Sequence, residues 1–358
     1  MTLRVLVVAT ERALPRPARN ARSSWSQRSG CLITLTGDDG ISGSGEATPL
    51  PKFSADSLEA CAEALRRFEP GSTPSHLEPG MSVFDELCTA SSALWRTPTA
   101  RAALESALLD RWARVAGKPA WALLLAAGAA PPSHRAVAGL LQGDPEQAVL
   151  QAQTGYARGV RCFKFKVGRP GALERELRAV QDLRSTLGAE VSLRLDANQA
   201  LSLQQARDYL PRFAAYGLEI IEEPCAPAQL SQLADLQLPL AMDESLAGLE
   251  DPSSHALRLT QCGVKAVVLK PSLLGGVSAC RAWARVAREL GAGVILSHAF
   301  EGPHGLALSA ALALSIGSES RAHGLDLEGA RLDHLNFPWF SGSEVVPWTA
   351  PGFAVEGA

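Results

Sequence analysis

The chain has 358 residues, 46% of them hydrophobic, which is enough for one large or two ordinary domains around a sizeable core. Its formal net charge of −3, without a basic stripe interleaved with aromatic residues, argues against nucleic acid as a partner. The seven cysteines are scattered and form no CxxC pair, which favours a reducing cytoplasm and argues against a thiolate metal site. No apolar stretch approaches the length of a membrane span, so we expect a cytoplasmic protein without a membrane partner.

The first part of the chain, residues 1–96, predicts a small α+β domain. Residues 5–9 and 31–36 have the apolar character of strands, and residues 57–68 have the apolar spacing of a helix. Residues 16–29, between the two strands, are rich in Arg and Ser and predict a mobile loop.

Residues 97–330 predict a parallel α/β barrel. They open with a helix and a half, and short apolar runs then alternate with segments that are long enough for one helix each. Eight such strands make a barrel in which the C-terminal strand ends meet at one mouth, where catalytic residues are found. The predicted strands are residues 137–141, 162–167, 192–197, 219–222, 240–243, 266–270, 294–297 and, more weakly, 324–327.

Three carboxylates, Asp196, Glu222 and Asp243, end three successive predicted strands. One such residue alone would more often cap a helix, but three in register form an oxygen-rich cluster at one mouth. Hard divalent cations take oxygen ligands, and Mg²⁺ keeps coordination positions open for water and substrate. Because no His or Cys ligand set accompanies these acids, the pattern favours Mg²⁺ over Zn²⁺.

Three lysines flank this cluster. Lys164 and Lys166 alternate with Cys162 along one strand, so both point into the barrel, and Lys270 ends a strand on the opposite side. Burial, a metal ion and like charges each disfavour a protonated lysine, so one of these groups can act as a base. The pattern predicts removal of a proton alpha to a metal-bound carboxylate, with the second lysine and Mg²⁺ stabilising the enediolate.

The order of these motifs resembles one known group of enzymes. The motifs are KFKVG at 164–168, LRLDAN at 193–198, IEEP at 221–224, MDES at 242–245 and VLKP at 268–271. This set is similar to that of the enolase superfamily, in its muconate-lactonizing-enzyme-like subgroup, whose relatives pair a Lys or His base with Mg²⁺. Residues 43–54, GSGEATPLPKFS, resemble the capping-domain loop of the o-succinylbenzoate synthase branch.

The resemblance implies a (β/α)₇β modified TIM barrel beneath an N-terminal α+β capping domain. It implies that residues 331–358 fold back to complete the cap, and that Mg²⁺ binds to Asp196, Glu222 and Asp243. Arg194, Asn198 and Glu244 would surround these ligands or contact the substrate.

The resemblance also implies roles for the lysines. Lys166 would remove the alpha proton and return it to the departing hydroxide, Lys270 would stabilise the enediolate, and Lys164 would tune Lys166. The implied reaction is the dehydration of 2-succinyl-6-hydroxy-2,4-cyclohexadiene-1-carboxylate to o-succinylbenzoate, a step of menaquinone synthesis.

The segment SHAFEGPHG at 297–305 differs from the serine-rich loops of the related synthases. Ser297 can still offer its hydroxyl or backbone N–H to the succinyl carboxylate, and a helix that opens at Gly305 favours an anion. His298 is either a ligand contact or a packed histidine at the barrel rim. His304 is expected at a solvated helix end.

Two other readings remain open at this point. The same lysine pair serves 1,1-proton transfer in N-succinylamino acid racemases and dipeptide epimerases, and Asp326 with Glu328 partly resembles the Asp-x-Asp motif of the epimerases. A non-catalytic barrel predicts decay of at least one polar mouth residue, and none has decayed. The alanine-rich helices could form the interface of a homo-oligomer.

Overall fold

The chain forms a small antiparallel sheet followed by a parallel barrel, as a computed structural model shows. The structure describes residues 3–19, 24–71, 73–78, 80–126, 128–248, 251–330, 332 and 335–355. Within these ranges, no helix is both long enough and apolar enough to cross a membrane.

The N-terminal sheet is a three-stranded meander, β1 (Arg4–Arg19), β2 (Ser24–Thr36) and β3 (Ser42–Ala47). The mobile loop predicted for residues 16–29 is wrong, because the described part of that segment continues β1 and β2 as a hairpin. The strands form because this mostly polar segment and the residues before it contain a few apolar side chains that become buried. Leu14, Ala18 and Trp25 are buried together against residues of the barrel mouth.

Three helices and a short fourth follow the sheet. The longest, α3, packs along β3, where a Cβ atom at Gly43 or Gly45 would collide with the α3 backbone. The glycines of the GSGEA segment therefore allow the sheet and α3 to approach closely. α3 also contacts barrel helices, so it lies between the two parts of the chain. The helices are α1 (Leu58–Arg66), α2 (Val83–Ala90), α3 (Pro98–Val115) and α4 (Ala120–Leu123), with a 3₁₀ turn at Ser92–Leu94.

The barrel sheet has seven hydrogen-bonded parallel strands in sequence order. Its main core lies between the strands and the outer helices, and a smaller interior cluster that includes Ile220 and Val268 fills the barrel beneath the mouth. The strands, preceded by the short β4 (Arg135–Ala136) outside this sheet, are β5 (Gly139–Leu141), β6 (Cys162–Lys166), β7 (Ser192–Asp196), β8 (Leu218–Glu222), β9 (Leu240–Met242), β10 (Ala266–Leu269) and β11 (Gly293–Leu296).

Helices connect the strands of the barrel. The segments between the strands, predicted to be long enough for one helix each, contain these helices. The α-helices are α5 (Ala148–Ala157), α6 (Leu173–Leu187), α7 (Leu203–Ala214), α8 (Ala256–Gln261), α9 (Pro271–Leu274), α10 (Gly276–Glu289), α11 (Pro303–Ser315) and α12 (Leu327–Ala330); 3₁₀ segments are Pro145–Gln147, Pro227–Leu236, Glu244–Leu246 and Pro252–His255.

The eighth strand of the barrel is reduced to two residues, His323 and Gly324. His323 forms a parallel bridge with Val137, and Gly324 forms one with Ser297, so this pair of residues joins the two edges of the sheet. The strand predicted at residues 324–327 is therefore only partly correct, because α12 already begins at Leu327. The (β/α)₇β barrel with its capping domain is confirmed.

The C-terminal tail forms a short hairpin and then crosses the end of α3. The hairpin, β12 (Phe340–Ser341) with β13 (Glu344–Val345), pairs with β4. Further along, the Trp348 carbonyl accepts a hydrogen bond from Trp121 at 2.9 Å, and the Phe353 amide donates to Asp110 at 2.8 Å. The tail thus fastens to the segment that links the N-terminal sheet to the barrel.

His323 is buried at the point where the barrel closes. Its Nδ1 accepts a hydrogen bond from the Leu296 amide at 3.0 Å, and its Nε2 is buried with no partner among the described residues. Burial, reinforced by the positive charges of Arg194 and Arg135, lowers the pKa of His323 to about 3. The imidazole is therefore neutral in the folded chain.

We predict that His323 makes the protein less stable as the pH falls below about 6.5, where the unfolded chain takes up a proton that the folded chain rejects. By pH 5 the loss from this group is about 2 kcal/mol, and the loss continues to grow until the pH reaches the folded pKa. Denaturant unfolding of His323→Asn between pH 7 and pH 5 should show a correspondingly shallower fall. His255→Asn, at a half-buried site beside Trp283, is the control, and equal slopes for His323→Asn and the wild type would contradict this prediction.

Candidate active site

The polar residues of the mouth lie in rows because parallel strands keep a fixed register. Lys166, Asp196 and Glu222 are direct neighbours across β6, β7 and β8. Asp243 lies two residues beyond Ala241, the partner of Glu222, and therefore points to the same face of the sheet. The acids predicted at three strand ends are thus side by side.

Lys270 approaches the site from the other side. It follows β10, which three strands separate from β6 in the sheet order. Its ammonium contacts the Asp243 carboxylate and lies 5.4 Å from the centre of the Phe53 ring. The two-sided arrangement expected from the sequence is therefore present in the structure.

Each of the three lysines binds a carboxylate. Lys164 Nζ lies 3.0 Å from Glu222 Oε1 and 3.2 Å from Asp196 Oδ2, so one ammonium joins two acids. Lys166 Nζ donates to Asp196 Oδ2 and to Asn198 Oδ1, both at 2.8 Å. Together with the Lys270 pair, these contacts cancel most of the charge that is buried at the mouth.

The charges at the mouth shift the pKa values in opposite directions. Burial raises the pKa of Glu222 to about 7, where Lys164 opposes the rise and the neighbouring acids add to it. Burial would also raise the pKa of Asp196, but Lys166 and Lys164 outweigh it and hold that pKa well below its ordinary value.

The carboxylates at the mouth also shift the pKa values of Lys164 and Lys270. Burial lowers the pKa of Lys164 and of Lys270, yet the surrounding carboxylates outweigh burial and raise both values above the ordinary one. The pKa values of these two lysines rise because the acids contact both ammonium groups directly. Neither of them is Lys166, the base expected from the resemblance.

Asn198 and Glu244 connect the lysine side of the mouth to the acid side. Besides accepting from Lys166, Asn198 donates through Nδ2 to Glu244 Oε1 at 3.3 Å. The other Glu244 oxygen is buried without a hydrogen-bond partner among the described residues, and burial raises the pKa of Glu244 to about 7. A buried acid oxygen thus remains unsatisfied at the mouth.

No group of three His, Cys, Asp or Glu side chains within the described ranges is arranged closely enough to hold an ion. The acid oxygens instead face the lysine ammonium groups, as the contacts of Lys164 with Asp196 and Glu222 show.

Arg194 lies below this layer and is only 2% exposed. Its guanidinium binds both oxygens of Glu219, at 2.7 and 3.1 Å, and donates to the Ala322 carbonyl at 2.7 Å. Although Arg194 lines the cavity, its donors bind the barrel wall, so the structure places it as a support for the strands.

Glu223 is a residue that the sequence reasoning missed. Its φ is +43°, and its buried carboxylate accepts from the amides of Asp243 and Ser245, both at 2.8 Å, and from the Ser245 hydroxyl at 2.6 Å. Gln199 adds a fourth donor at 3.0 Å. Glu223 therefore holds the turn that carries Asp243. The sequence feature that could have indicated this role is the second Glu of the IEEP motif, directly after the predicted ligand Glu222.

The side chains at the mouth leave a cavity of about 70 Å³, bounded by the polar groups on one side and apolar walls on the other. One wall comes from the N-terminal sheet through Leu50 and Phe53. Another comes from the loop after β11, where Ser297, His298, Ala299 and Phe300 all line the cavity. Leu140, Val268, Ile295 and Asp326 complete it.

The histidines of the β11 loop have different surroundings. His298 accepts the Phe300 amide proton at Nδ1, 3.1 Å away, so its other ring nitrogen carries the hydrogen in the neutral form. The solvated position expected for His304 is wrong: it is 7% exposed, in the first turn of α11, and burial lowers its pKa.

Two family models match the chain. Residues 2–124 match the N-terminal domain of the mandelate racemase / muconate lactonizing enzyme family, and residues 147–356 match the enolase C-terminal domain-like family. The chain therefore belongs to the enolase superfamily, in its muconate-lactonizing-enzyme-like group, and is an enzyme of the lyase or isomerase type.

Individual relatives carry several activities. The o-succinylbenzoate synthase of Desulfotalea psychrophila is 30% identical over 82% of this chain and 84% of its own length. Protein PHYLLO, chloroplastic, of Arabidopsis thaliana is 28% identical over 80% of this chain, which spans only 18% of that protein. Muconate cycloisomerases and epimerases are similar at comparable identity, so identity alone does not separate these activities.

Solved structures support the fold. The substrate-liganded L-Ala-D/L-Glu epimerase of Bacillus subtilis superimposes with a TM-score of 0.83 at 22% identity, over 100% of this chain and 99% of that one. The dipeptide epimerase of Enterococcus faecalis, complexed with Mg and a dipeptide, has a TM-score of 0.79 at 19% identity, over 99% of each chain.

We predict that Glu223→Ala destabilises the protein by about 3 kcal/mol, because it leaves the buried amides of Asp243 and Ser245 without an acceptor. Denaturant unfolding at pH 7 measures the change. Glu63→Ala, which removes an exposed partner of Arg67 on α1, is the matched control and should change stability little. Equal stability of the Glu223 variant and the wild type would show that the turn does not depend on this carboxylate.

Proposed function

We propose that the chain is an o-succinylbenzoate synthase, which dehydrates 2-succinyl-6-hydroxy-2,4-cyclohexadiene-1-carboxylate to o-succinylbenzoate. The observation that carries this proposal is a carboxylate cluster with lysines on two sides of a cavity whose walls include Phe53 and Phe300. Such a site suits a small cyclic carboxylate with an acidic alpha proton. Similarity to a synthase over most of both chains adds support.

The chemistry of the donor set fits a divalent cation, although the acid side chains in the structure face the lysines and no three of the described ones converge closely enough to hold an ion. Asp196, Glu222 and Asp243 are buried oxygen donors at the ends of adjacent strands, and Glu244 adds an acid whose Oε2 has no hydrogen-bond partner among the described residues. Mg²⁺ prefers such ligands. Lys164 Nζ lies within 3.2 Å of both Asp196 and Glu222, so these two acids already share one positively charged partner.

When bound, Mg²⁺ would supply positive charge that offsets the negative charge developing on the substrate carboxylate. Asp196, Glu222 and Asp243 would hold it. Lys164 would remain beside these acids and offset part of their charge.

Lys166 is suited to act as the base. A neutral lysine amine has two N–H bonds, and Asp196 and Asn198 provide two acceptors at 2.8 Å, which leaves the nitrogen lone pair for the substrate. The amine accepts the proton from the carbon alpha to the carboxylate. The C–O bond to the ring hydroxyl then breaks, and Lys166 returns the proton so that water leaves and the ring becomes aromatic.

Lys270 acts on the opposite side of the substrate. Its ammonium, fixed by Asp243 and by the face of the Phe53 ring, stabilises negative charge on the substrate carboxylate without transferring a proton. Leu50, Phe53 and Phe300 exclude water from the ring.

A second candidate is racemisation or epimerisation by 1,1-proton transfer, in which both lysines would exchange protons with the substrate. Asp326 favours this reading because its carboxylate lines the cavity, although it accepts the Leu140 amide proton at 3.3 Å. Glu328 instead pairs with Arg16 and Arg158, so only one acid of this pair lines the cavity.

Purified protein assayed with Mg²⁺ on the cyclohexadiene carboxylate and on N-succinyl amino acids decides between the two. We expect kcat/KM for dehydration to exceed that for racemisation by roughly 100-fold. The reverse order would replace the synthase proposal with the racemase.

We predict that Lys166→Ala lowers kcat for dehydration at least about 1,000-fold, because it removes the group that both accepts and returns the proton. Steady-state kinetics measure the loss, and circular dichroism confirms folding. Lys118→Ala, at an exposed lysine after α3, should keep wild-type activity. A Lys166 variant that retained more than about a tenth of kcat would exclude it as the base.

We predict that Asp196→Asn weakens Mg²⁺ binding by on the order of 100-fold, because the site loses a charged ligand. Titration calorimetry with Mg²⁺ measures the affinity. Asp182→Asn, on the exposed face of α6, is the control and should bind as the wild type does. Unchanged affinity of the Asp196 variant would remove this residue from the metal site.

A further inference from the structure

Two arginines, one half-buried and one buried, face each other in the N-terminal hairpin. Arg12 on β1 and Arg28 on β2 are direct partners in the strand register, and Arg28 is only 2% exposed. Like charges at such positions destabilise a sheet. Burial also lowers the pKa of Arg28 to about 10, a sign of how poorly the site solvates its charge. Burying a charge beside a like charge lowers the stability of the fold unless other interactions stabilise the guanidinium.

The compensating interactions are carbonyl groups of two loops. Arg28 donates to the Phe300 carbonyl through Nε and to the Pro49 carbonyl through Nη1, each at 3.1 Å, and its Nη2 donates to the Thr48 carbonyl. Arg12 donates to the carbonyls of Phe300, at 3.3 Å, and Glu301, at 3.1 Å. The single side chain of Arg28 thus connects the hairpin to both the cap loop at 48–53 and the barrel loop at 297–302.

Both loops line the active-site cavity. The cap loop carries Leu50 and Phe53, and the barrel loop carries His298 and Phe300. Phe300 has a φ of +61°, which L-residues rarely adopt, and both arginines hold its carbonyl. The backbone conformation of one wall is therefore tied to the position of the other.

A second contact reinforces the connection between the walls. Glu46 Oε1 accepts from the Gly302 amide at 2.7 Å and from the Thr48 hydroxyl at 2.6 Å. Trp25, three residues before Arg28 on β2, packs beside Phe300 with ring centres 6.2 Å apart and donates to the Pro51 carbonyl at 3.3 Å. The guanidinium of Arg28 lies among contacts that converge on the same two loops.

We propose that Arg28 is a positioning residue that sets the separation of the two cavity walls and thereby the selection of the substrate. This inference rests on the proposed function for its kinetic consequence and on geometry alone for its structural one. Arg28 touches none of the acids and lysines at the mouth among the contacts described above. Its loss should therefore weaken substrate binding more than the chemical step.

Hydrogen–deuterium exchange of the full-length protein tests the structural consequence. Arg28→Lys keeps the charge but cannot reach three carbonyls from one planar group. We expect exchange in peptides covering residues 48–53 and 297–302 to become at least roughly tenfold faster in this variant. Unchanged exchange in either peptide would overturn the proposal.

Arg135→Lys is the matched control. Arg135 is likewise buried, at 4% exposure, and donates to the carbonyls of Ala313 and Leu314 at 3.2 and 3.3 Å, far from the cavity. Both loop peptides should exchange within about twofold of the wild-type rate in this variant. If Arg135→Lys loosened them as much as Arg28→Lys, general destabilisation would explain the effect and the proposal would fail.

Steady-state kinetics on the cyclohexadiene carboxylate and on N-succinyl amino acids test the functional consequence. For whichever substrate the wild type turns over, we expect Arg28→Lys to raise KM roughly tenfold and to change kcat less than about threefold. A fall in kcat at constant KM would contradict a positioning role. If the wild type turns over neither substrate, the proposed function fails, while the exchange measurement still decides the role of Arg28.

Arg12→Lys covers the case in which Arg28→Lys does not fold. Arg12 donates to Phe300 and Glu301, so this variant should speed exchange mainly in residues 297–302, with a smaller change in 48–53. An equal effect on both peptides would contradict the assignment of the connection to Arg28.

Discussion

The mouth of the barrel depends on a mutual neutralisation of buried charges. Asp196, Glu222 and Asp243 would each be costly to bury alone, and so would Lys164, Lys166 and Lys270, but alternating them around the mouth makes each group the partner of another. The parallel register brings them together, since it places strand ends from distant parts of the sequence in adjacent rows. Glu244 adds a further buried acid, and the proposed Mg²⁺ would offset its charge.

The barrel and the acid–lysine cluster could be predicted from the sequence because their signals are local. Each apolar run predicts a strand. A polar residue at the end of such a strand, such as Asp196 or Glu222, must then lie at the mouth of the barrel. The helices between strands were likewise predictable from spacing. The eighth strand was predicted less well. His323 and Gly324 close the barrel by pairing with residues far away in the sequence, and no periodic pattern reveals such pairing.

Other features lay outside the reach of sequence patterns because contacts distant in the chain determine them. The sequence at residues 16–29 has the composition of a polar loop, and the strands in its described part depend on the burial of Leu14 and Trp25 with Phe300 at the barrel mouth. The sequence gives no sign that Arg28 is buried. Its position between two loops of the cavity follows only from its carbonyl partners. The raised pKa values of Lys164 and Lys270 likewise depend on which carboxylates contact them, and no local sequence pattern gives those contacts.

The close approach of α3 to Gly43 and Gly45 has a consequence for protein engineering. The helix packs against the N-terminal sheet as intimately as it does against the barrel, and Asp110 within it also receives the C-terminal tail. A chimera that exchanges caps between members of this superfamily would therefore have to transplant α3 and the terminal residues along with the sheet. Cutting the gene at the end of the sheet would divide a single packing unit in two.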